Sequence, residues 1–257
     1  MKAVFGITLG ALLAMQAAFA QDLQTKATGI EETYCPIKAD PKACSSIYIG
    51  RLEVVGQPWL TEQLDLALHW DSDDERNRKQ LQAELREETV TDEDGVFTAE
   101  IVRTARMLGQ NDDFAAFELQ YYYYAQGAAH GMPAARYAVF DLKQRRAVGL
   151  QDILVSPQAK TKLDALQQQA FQRYLQDEQD YSAQDRKDLE GIFPFAATDN
   201  WALDKDGLLF TFQPYEVGPY AMGFPQLYIP TDKLRGIVRP EYLKAAASWR
   251  AVKADKP

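Results

Sequence analysis

The chain has 257 residues, 46% hydrophobic and 25% charged, with Lys+Arg 28 against Asp+Glu 37 and a net charge of −9. That composition suits one substantial core or two small ones and excludes disorder as the main state. The acidic balance, with no basic stripe interleaved with aromatics, excludes a nucleic-acid binder, because backbone recognition needs cations to neutralise phosphates.

Residues 1–20 read as a secretory signal peptide. Lys2 is their only charge, Val4 to Ala20 is an apolar run, and Ala18-Phe19-Ala20 fits a small-x-small cleavage pattern. Cleavage is expected before Gln21, leaving 237 residues in which 27 basic side chains face 37 acidic ones, a net charge of −10. The competing reading is an uncleaved anchor, for which the run is barely long enough against the roughly 20 apolar residues of a membrane helix. No cysteine follows the cleavage point to carry a lipid, so a soluble periplasmic or secreted protein without stable membrane insertion is expected.

Export favours pairing of the two cysteines, Cys35 and Cys44, around an octapeptide with two prolines. A disulfide loop fits better than a zinc site, which would need both His69 and His130 without the usual ligand spacing. It also fits better than a redox pair, which would use a tight Cys-x-x-Cys.

Residues 21–46 are expected to be an irregular lead-in carrying that loop, and Ile47 to Val55 a strand. Trp59, Leu60, Leu64, Ala67 and Leu68 mark one face of a helix. Glu75 to Glu88 form a second, largely exposed helix with Leu81 and Leu85 four apart. Ile101, Val102, Ala105 and Leu108 suggest a third helix over Thr98 to Leu108. From Phe114 the period becomes two, with Phe117, Leu119, Tyr121 and Tyr123 on one side of a strand. A glycine-rich turn at residues 126–131 joins it to a second strand over Ala135 to Phe140, making a long hairpin. Ser156-Pro157 reads as the start of a helix to about Glu178, burying Leu163, Leu166, Ala170, Phe171 and Tyr174. A short helix over Ala183 to Glu190 is closed by Gly191, and Asp206-Gly207 turns between two strands. Leu227 to Ile229 is a last strand.

No internal repeat or long linker appears. The expected organisation is a signal peptide (1–20), a lead-in with the disulfide loop (21–46), a small N-terminal α+β portion (47–112) and a larger α+β domain (113–250). The fold class is α+β, an antiparallel sheet covered by helices.

Enzyme chemistry finds little support in the residues. There is no Gly-x-Ser-x-Gly elbow and no His-Glu-x-x-His motif, and the Asp-rich turns at 92–95 and 204–207 lack the donor spacing of a calcium loop. Glu216, inside an aromatic loop, is the one carboxylate that stands out. Glycosidase chemistry would need a second placed carboxylate, and an acceptor tying down its own loop is the simpler reading. No cofactor, no metal and no catalytic residue is expected. Pro214-Tyr-Glu-Val-Gly-Pro-Tyr220 reads better as a shaped surface, with two tyrosines offering contact area at low side-chain entropy cost, or as rings that cap the core.

Four stretches in order, Tyr124-Ala-Gln-Gly-Ala-Ala-His-Gly131, Asp141 to Leu154, Asn200 to Phe212, and Phe212-Gln-Pro-Tyr-Glu-Val-Gly-Pro-Tyr-Ala-Met-Gly223, resemble the RsiV C-terminal-like domain family. That family is similar to the extracytoplasmic part of the anti-sigma factor RsiV, which recognises lysozyme, and to a non-catalytic region of the deacetylase PdaC. The resemblance covers residues 114–235 and implies helices on an antiparallel sheet. It implies a binding loop of Tyr215, Glu216, Pro219 and Tyr220, shaped by Gly127, His130, Gly131, Gly218 and Gly223. The chain shows no sigma-binding segment and no deacetylase domain, so the implied activity is binding. The expected partner is lysozyme or another basic envelope protein, or a peptidoglycan-like glycan. The alternatives are a cell-wall hydrolase or deacetylase-like enzyme and a structural envelope accessory.

Overall fold

Alternation of buried and exposed side chains sets most of the architecture. A computed structural model describes residues 22–37, 43–71, 73–93 and 95–252. The signal peptide and its cleavage point lie outside the described residues. The first strand pair is β1 (Thr25–Tyr34) and β2 (Ser45–Val54), antiparallel from Thr25 opposite Val54 to Tyr34 opposite Ser45. Helices α1 (Pro58–Ala67) and α2 (Asp74–Glu87) follow, then a small hairpin, β3 (Val90–Asp92) and β4 (Gly95–Phe97). Strands β5 (Ala99–Gln110), β6 (Phe114–Ala125), β7 (Met132–Asp141) and β8 (Arg146–Ala147) form an antiparallel meander. Helices α3 (Leu150–Ile153), α4 (Ala159–Asp177) and α5 (Ala183–Ile192) lead to a second sheet, order β11-β10-β9, made of β9 (Trp201–Asp204), β10 (Gly207–Thr211) and β11 (Gln226–Pro230). The chain ends on α6 (Thr231–Leu234), α7 (Pro240–Ala247) and β12 (Arg250–Ala251).

The main sheet has seven strands in the order β1-β2-β5-β6-β7-β8, with β12 added to β5. Its one parallel pair is β2–β5, the crossover that α1 and α2 span. The α+β class is therefore as expected, with a mixed rather than purely antiparallel sheet. Two cores use alternate residues of the same strands. Ala115, Phe117 and Leu119 of β6 join Ile47, Ile49, Leu60, Leu64, Leu81 and Leu85 beneath α1 and α2. Phe114 and Ala116, with Tyr137 and Val139 of β7, join Leu163, Phe171, Phe210, Phe212 and Leu227 on the other side. One sheet thus runs through position 112, where β5 turns into β6.

Several sequence expectations change. Residues 25–34 are not irregular lead-in but the ten-residue edge strand β1. Its mostly exposed side chains hide the strand signal, and its order comes from pairing with β2. The Cys35–Cys44 disulfide joins the end of β1 to the start of β2, and a loop this short contributes about 2–3 kcal/mol by restricting the unfolded chain. Residues 99–110 are strand, not helix. Ile101 and Met107 enter the core, Arg103 pairs with Glu84 of α2, and Arg106 pairs with Glu118 of β6. Pairing with β6 therefore overrides an apolar spacing that also suits a helix. Finally, α4 begins at Ala159 rather than at Pro157, and the Ser156 carbonyl, not its hydroxyl, accepts from Ala159 N at 3.0 Å.

The turn between β9 and β10 is also placed differently: Lys205 and Asp206 turn, Asp206 takes φ 59°, and Gly207 opens β10. Gly191 lies inside α5 rather than beyond its end.

Candidate functional site

The proline- and tyrosine-rich loop is closed at its base, where Phe212 N donates to Pro225 O at 3.0 Å. Two side-chain amides, Gln213 of the loop and Asn200 just before β9, fasten its base to β7, which over residues 135–137 has among the described residues no strand neighbour beyond β6. Gln213 accepts from Ala135 N at 2.8 Å and donates to Ala135 O at 2.7 Å. Asn200 accepts from Tyr137 N at 2.7 Å and donates to the same Ala135 carbonyl at 2.8 Å. These amides replace the missing strand, satisfying backbone groups that would otherwise be costly to bury. Val217 is fully buried and plugs the loop into the larger core.

Above that anchor sit three rings. His130, from the β6–β7 turn, stacks on Tyr220 with centroids 3.7 Å apart and planes at 19°. Its Nε2 lies 3.1 Å from the Tyr215 hydroxyl and its Nδ1 3.0 Å from Gly131 O. A carbonyl can only accept, so in the neutral ring the hydrogen sits on Nδ1 and Tyr215 donates to Nε2. The Tyr220 hydroxyl donates to Gly131 O at 2.9 Å. Both tyrosines are therefore tied to the hairpin by their hydroxyls, while Tyr215 stays 45% exposed. The cluster is pre-ordered, which lowers the entropy cost of docking.

The glycines serve this packing in two ways. A Cβ on Gly131 would meet the Tyr122 ring at 2.3 Å, so only glycine lets that ring lie under the hairpin. Gly223 has φ 65°, and with Pro219 it frames a 3-10 turn over Tyr220–Met222. Gly218 lies against the Met222 side chain, and Gly127 takes φ 90° in the β6–β7 turn. Glu216 points back into its own loop, its Oε2 accepting from Gln213 N at 2.8 Å.

The fold thus unites His130, Gly131, Tyr215, Glu216, Gly218, Pro219, Tyr220 and Gly223 in one unit with Gly127 at the adjoining turn, while Cys35 and Cys44 belong to the β1–β2 connection. Sequence reasoning missed Asn200, Gln213 and Tyr122. Asn200 and Gln213 lie in the stretches that carry the family resemblance, but nothing in their spacing reveals that they act as strand surrogates. Among the described residues no group of three or more His, Cys, Asp or Glu could hold a metal ion, and no helix is long and apolar enough to cross a membrane.

The architecture is that of an α+β protein built on one mixed sheet with a fastened aromatic loop. The model of a family described as Protein of unknown function (DUF3298) matches residues 151–232. Solved structures share the fold, two of them of DUF3298 proteins. A DUF3298 family protein from Pseudomonas aeruginosa has a TM-score of 0.71 at 23% identity, covering 87% of this chain and 97% of that one. A DUF3298 member from Bacteroides fragilis has a TM-score of 0.67 at 18% identity, covering 89% of this chain and 99% of that one. No curated protein matches the sequence.

Proposed function

We propose that this is an exported, non-catalytic binding protein of the cell envelope that recognises a basic protein such as lysozyme through the His130–Tyr215–Tyr220 face. The observation that carries the reading is the pre-ordered, partly exposed aromatic cluster, held by hydrogen bonds from both tyrosines and by the Asn200 and Gln213 clamps. Rigid tyrosines with satisfied hydroxyls suit an interface hot spot. The resemblance to the lysozyme-recognising RsiV ectodomain supports the same choice, as does a net charge of −9 that attracts a strongly basic partner at long range. Catalysis finds less support at this loop, where the Glu216 carboxylate is used to hold the loop and His130 is held by its neighbours.

Calorimetry against lysozyme at low and moderate salt tests the proposal. Saturable binding that weakens with salt is expected. Tyr215→Ala and Tyr220→Ala should each cost about 2 kcal/mol of binding energy, the scale of a hot-spot residue, without loss of the folded state. Absence of binding at low salt would remove lysozyme as the partner, and unchanged affinity in both variants would move the interface elsewhere.

A further inference from the structure

Beside the aromatic cluster, between β5, β6, β7 and the loop, lies a cavity of about 230 Å³. Val102, Tyr122, Pro133 and Phe224 give it apolar walls, and Glu118 and Gln120 line it with polar atoms. Tyr122 links the two features, since the same ring packs against Gly131, whose carbonyl accepts from the Tyr220 hydroxyl.

Glu118 is only 4% exposed. Its Oε2 accepts from Arg106 Nε and, at 2.9 Å, from Gln120 Nε2. Among the described residues nothing donates to Glu118 Oε1. A carboxylate only accepts, which fixes the Gln120 nitrogen toward Glu118 and leaves the Gln120 amide oxygen as a second acceptor without a protein donor. Arg106 is already committed to Oε2. The cavity therefore offers acceptors, among them a carboxylate oxygen of the 4%-exposed Glu118, beside apolar side chains.

The ligand that answers this chemistry has an aliphatic stem and a head rich in N–H groups. It is also small, because clefts for drug-sized molecules run to roughly 300–1,000 Å³. We infer that the cavity is a socket for one lysine or arginine side chain of the partner, its stem against Val102, Tyr122, Pro133 and Phe224 and its cationic head on Glu118 Oε1. Long basic side chains bury their stems in this way and form charge-assisted hydrogen bonds at the tip. The inference rests on the proposed recognition face only for the owner of that side chain, and the chemistry of the socket is tested apart from it.

The purified protein is titrated with n-butylguanidinium and n-butylammonium, with n-butanol as the neutral control, while the amide signals of Val102, Gln120, Tyr122 and Phe224 are followed by NMR. Saturable shifts with the cations alone are expected, on the order of millimolar affinity. Glu118→Gln should weaken them about tenfold or more, the effect of losing a charged acceptor. Val102→Phe should abolish them by filling the cavity without touching the carboxylate, and it keeps the test decisive if Glu118→Gln does not fold. Equal shifts with n-butanol, absence of saturation, or wild-type cation binding in the folded variants would overturn the socket. If lysozyme binds wild type and both variants alike, the socket falls and the recognition face stands. If the butyl cations bind as described and lysozyme does not, lysozyme is the wrong partner and the socket stands.

Discussion

Tyr215 shows how much one residue gives up for its position. It occupies φ 71°, where a side chain bearing a Cβ is strained by roughly 1–2 kcal/mol, yet it keeps its ring beside Tyr220 and its hydroxyl on His130. Strain retained at an exposed aromatic fits selection for binding rather than stability. Substituting Tyr215 therefore inverts the usual ranking of small residues: Tyr215→Gly should be more stable than Tyr215→Ala by about 1 kcal/mol, because glycine alone enters the left-handed region freely. Urea denaturation of the two variants checks this, and a more stable alanine variant would show that the loop relaxes out of that conformation. The strain is not legible from the chain, since Pro214-Tyr-Glu-Val has no glycine or asparagine at the position where φ turns positive. Gly131 was legible as a shaping residue, but its reason, the approach of Tyr122 from nine positions earlier, belongs to the folded hairpin.

At the scale of elements, sequence patterning succeeds where a segment carries its own contrast. In β6 Glu118 and Gln120 alternate with Phe117, Leu119 and Tyr121, and in α4 Leu163, Ala170 and Phe171 repeat at helical spacing, so both were readable. It fails for β1, where only Ile30 and Tyr34 bring apolar side chains to the core among mostly exposed neighbours, and for β5, whose Arg103 and Arg106 are paired on opposite faces. Three helix starts, those of α2, α3 and α5, are set by local acids instead. Asp73 accepts from Arg76 N at the head of α2, Asp152 from Gly149 N at α3, and Asp185 from Ser182 N at α5, where Ser182 Oγ in turn accepts from Asp185 N. The backbone hydrogen bonds to Asp73 and Asp152, and the Ser182 side-chain and backbone contacts of Asp185, hold all three carboxyls below their ordinary value of 3.8. A depressed folded pKa stabilises the chain fully above the unfolded value and loses that contribution as pH falls through the folded one. Asp73→Asn, which keeps a capping oxygen, should therefore be less stable than wild type at pH 5, with the gap closing toward pH 2. Thermal midpoints across that range test it, and a gap independent of pH would refute the linkage.

The whole molecule hangs on β6 and the turn before it. Asn111 at that turn accepts from Phe114 N at 2.7 Å and donates to Ala245 O of α7 at 3.0 Å, fixing the C-terminal helix to the centre of the main sheet. Gln110 donates to Asp22 at 2.7 Å and accepts from Leu23 N at 2.9 Å, while Arg250 reaches the same Asp22 carboxylate from β12. The start and end of the described chain thus meet on β5. Because β6 sends Phe117 into one core and Phe114 and Ala116 into the other, neither core keeps a complete wall if the strand leaves. The two cores are expected to unfold together. Phe117→Ala, at a fully buried position packed against Phe140, should cost about 3–5 kcal/mol. Under conditions where exchange proceeds through global opening, amide protection should fall by the same free energy at Ile47 and Ile49 in β2 as at Leu208 and Phe210 in β10. A loss confined to β2, with β10 protected as in wild type, would mean that the cores open separately and that the shared strand does not couple them.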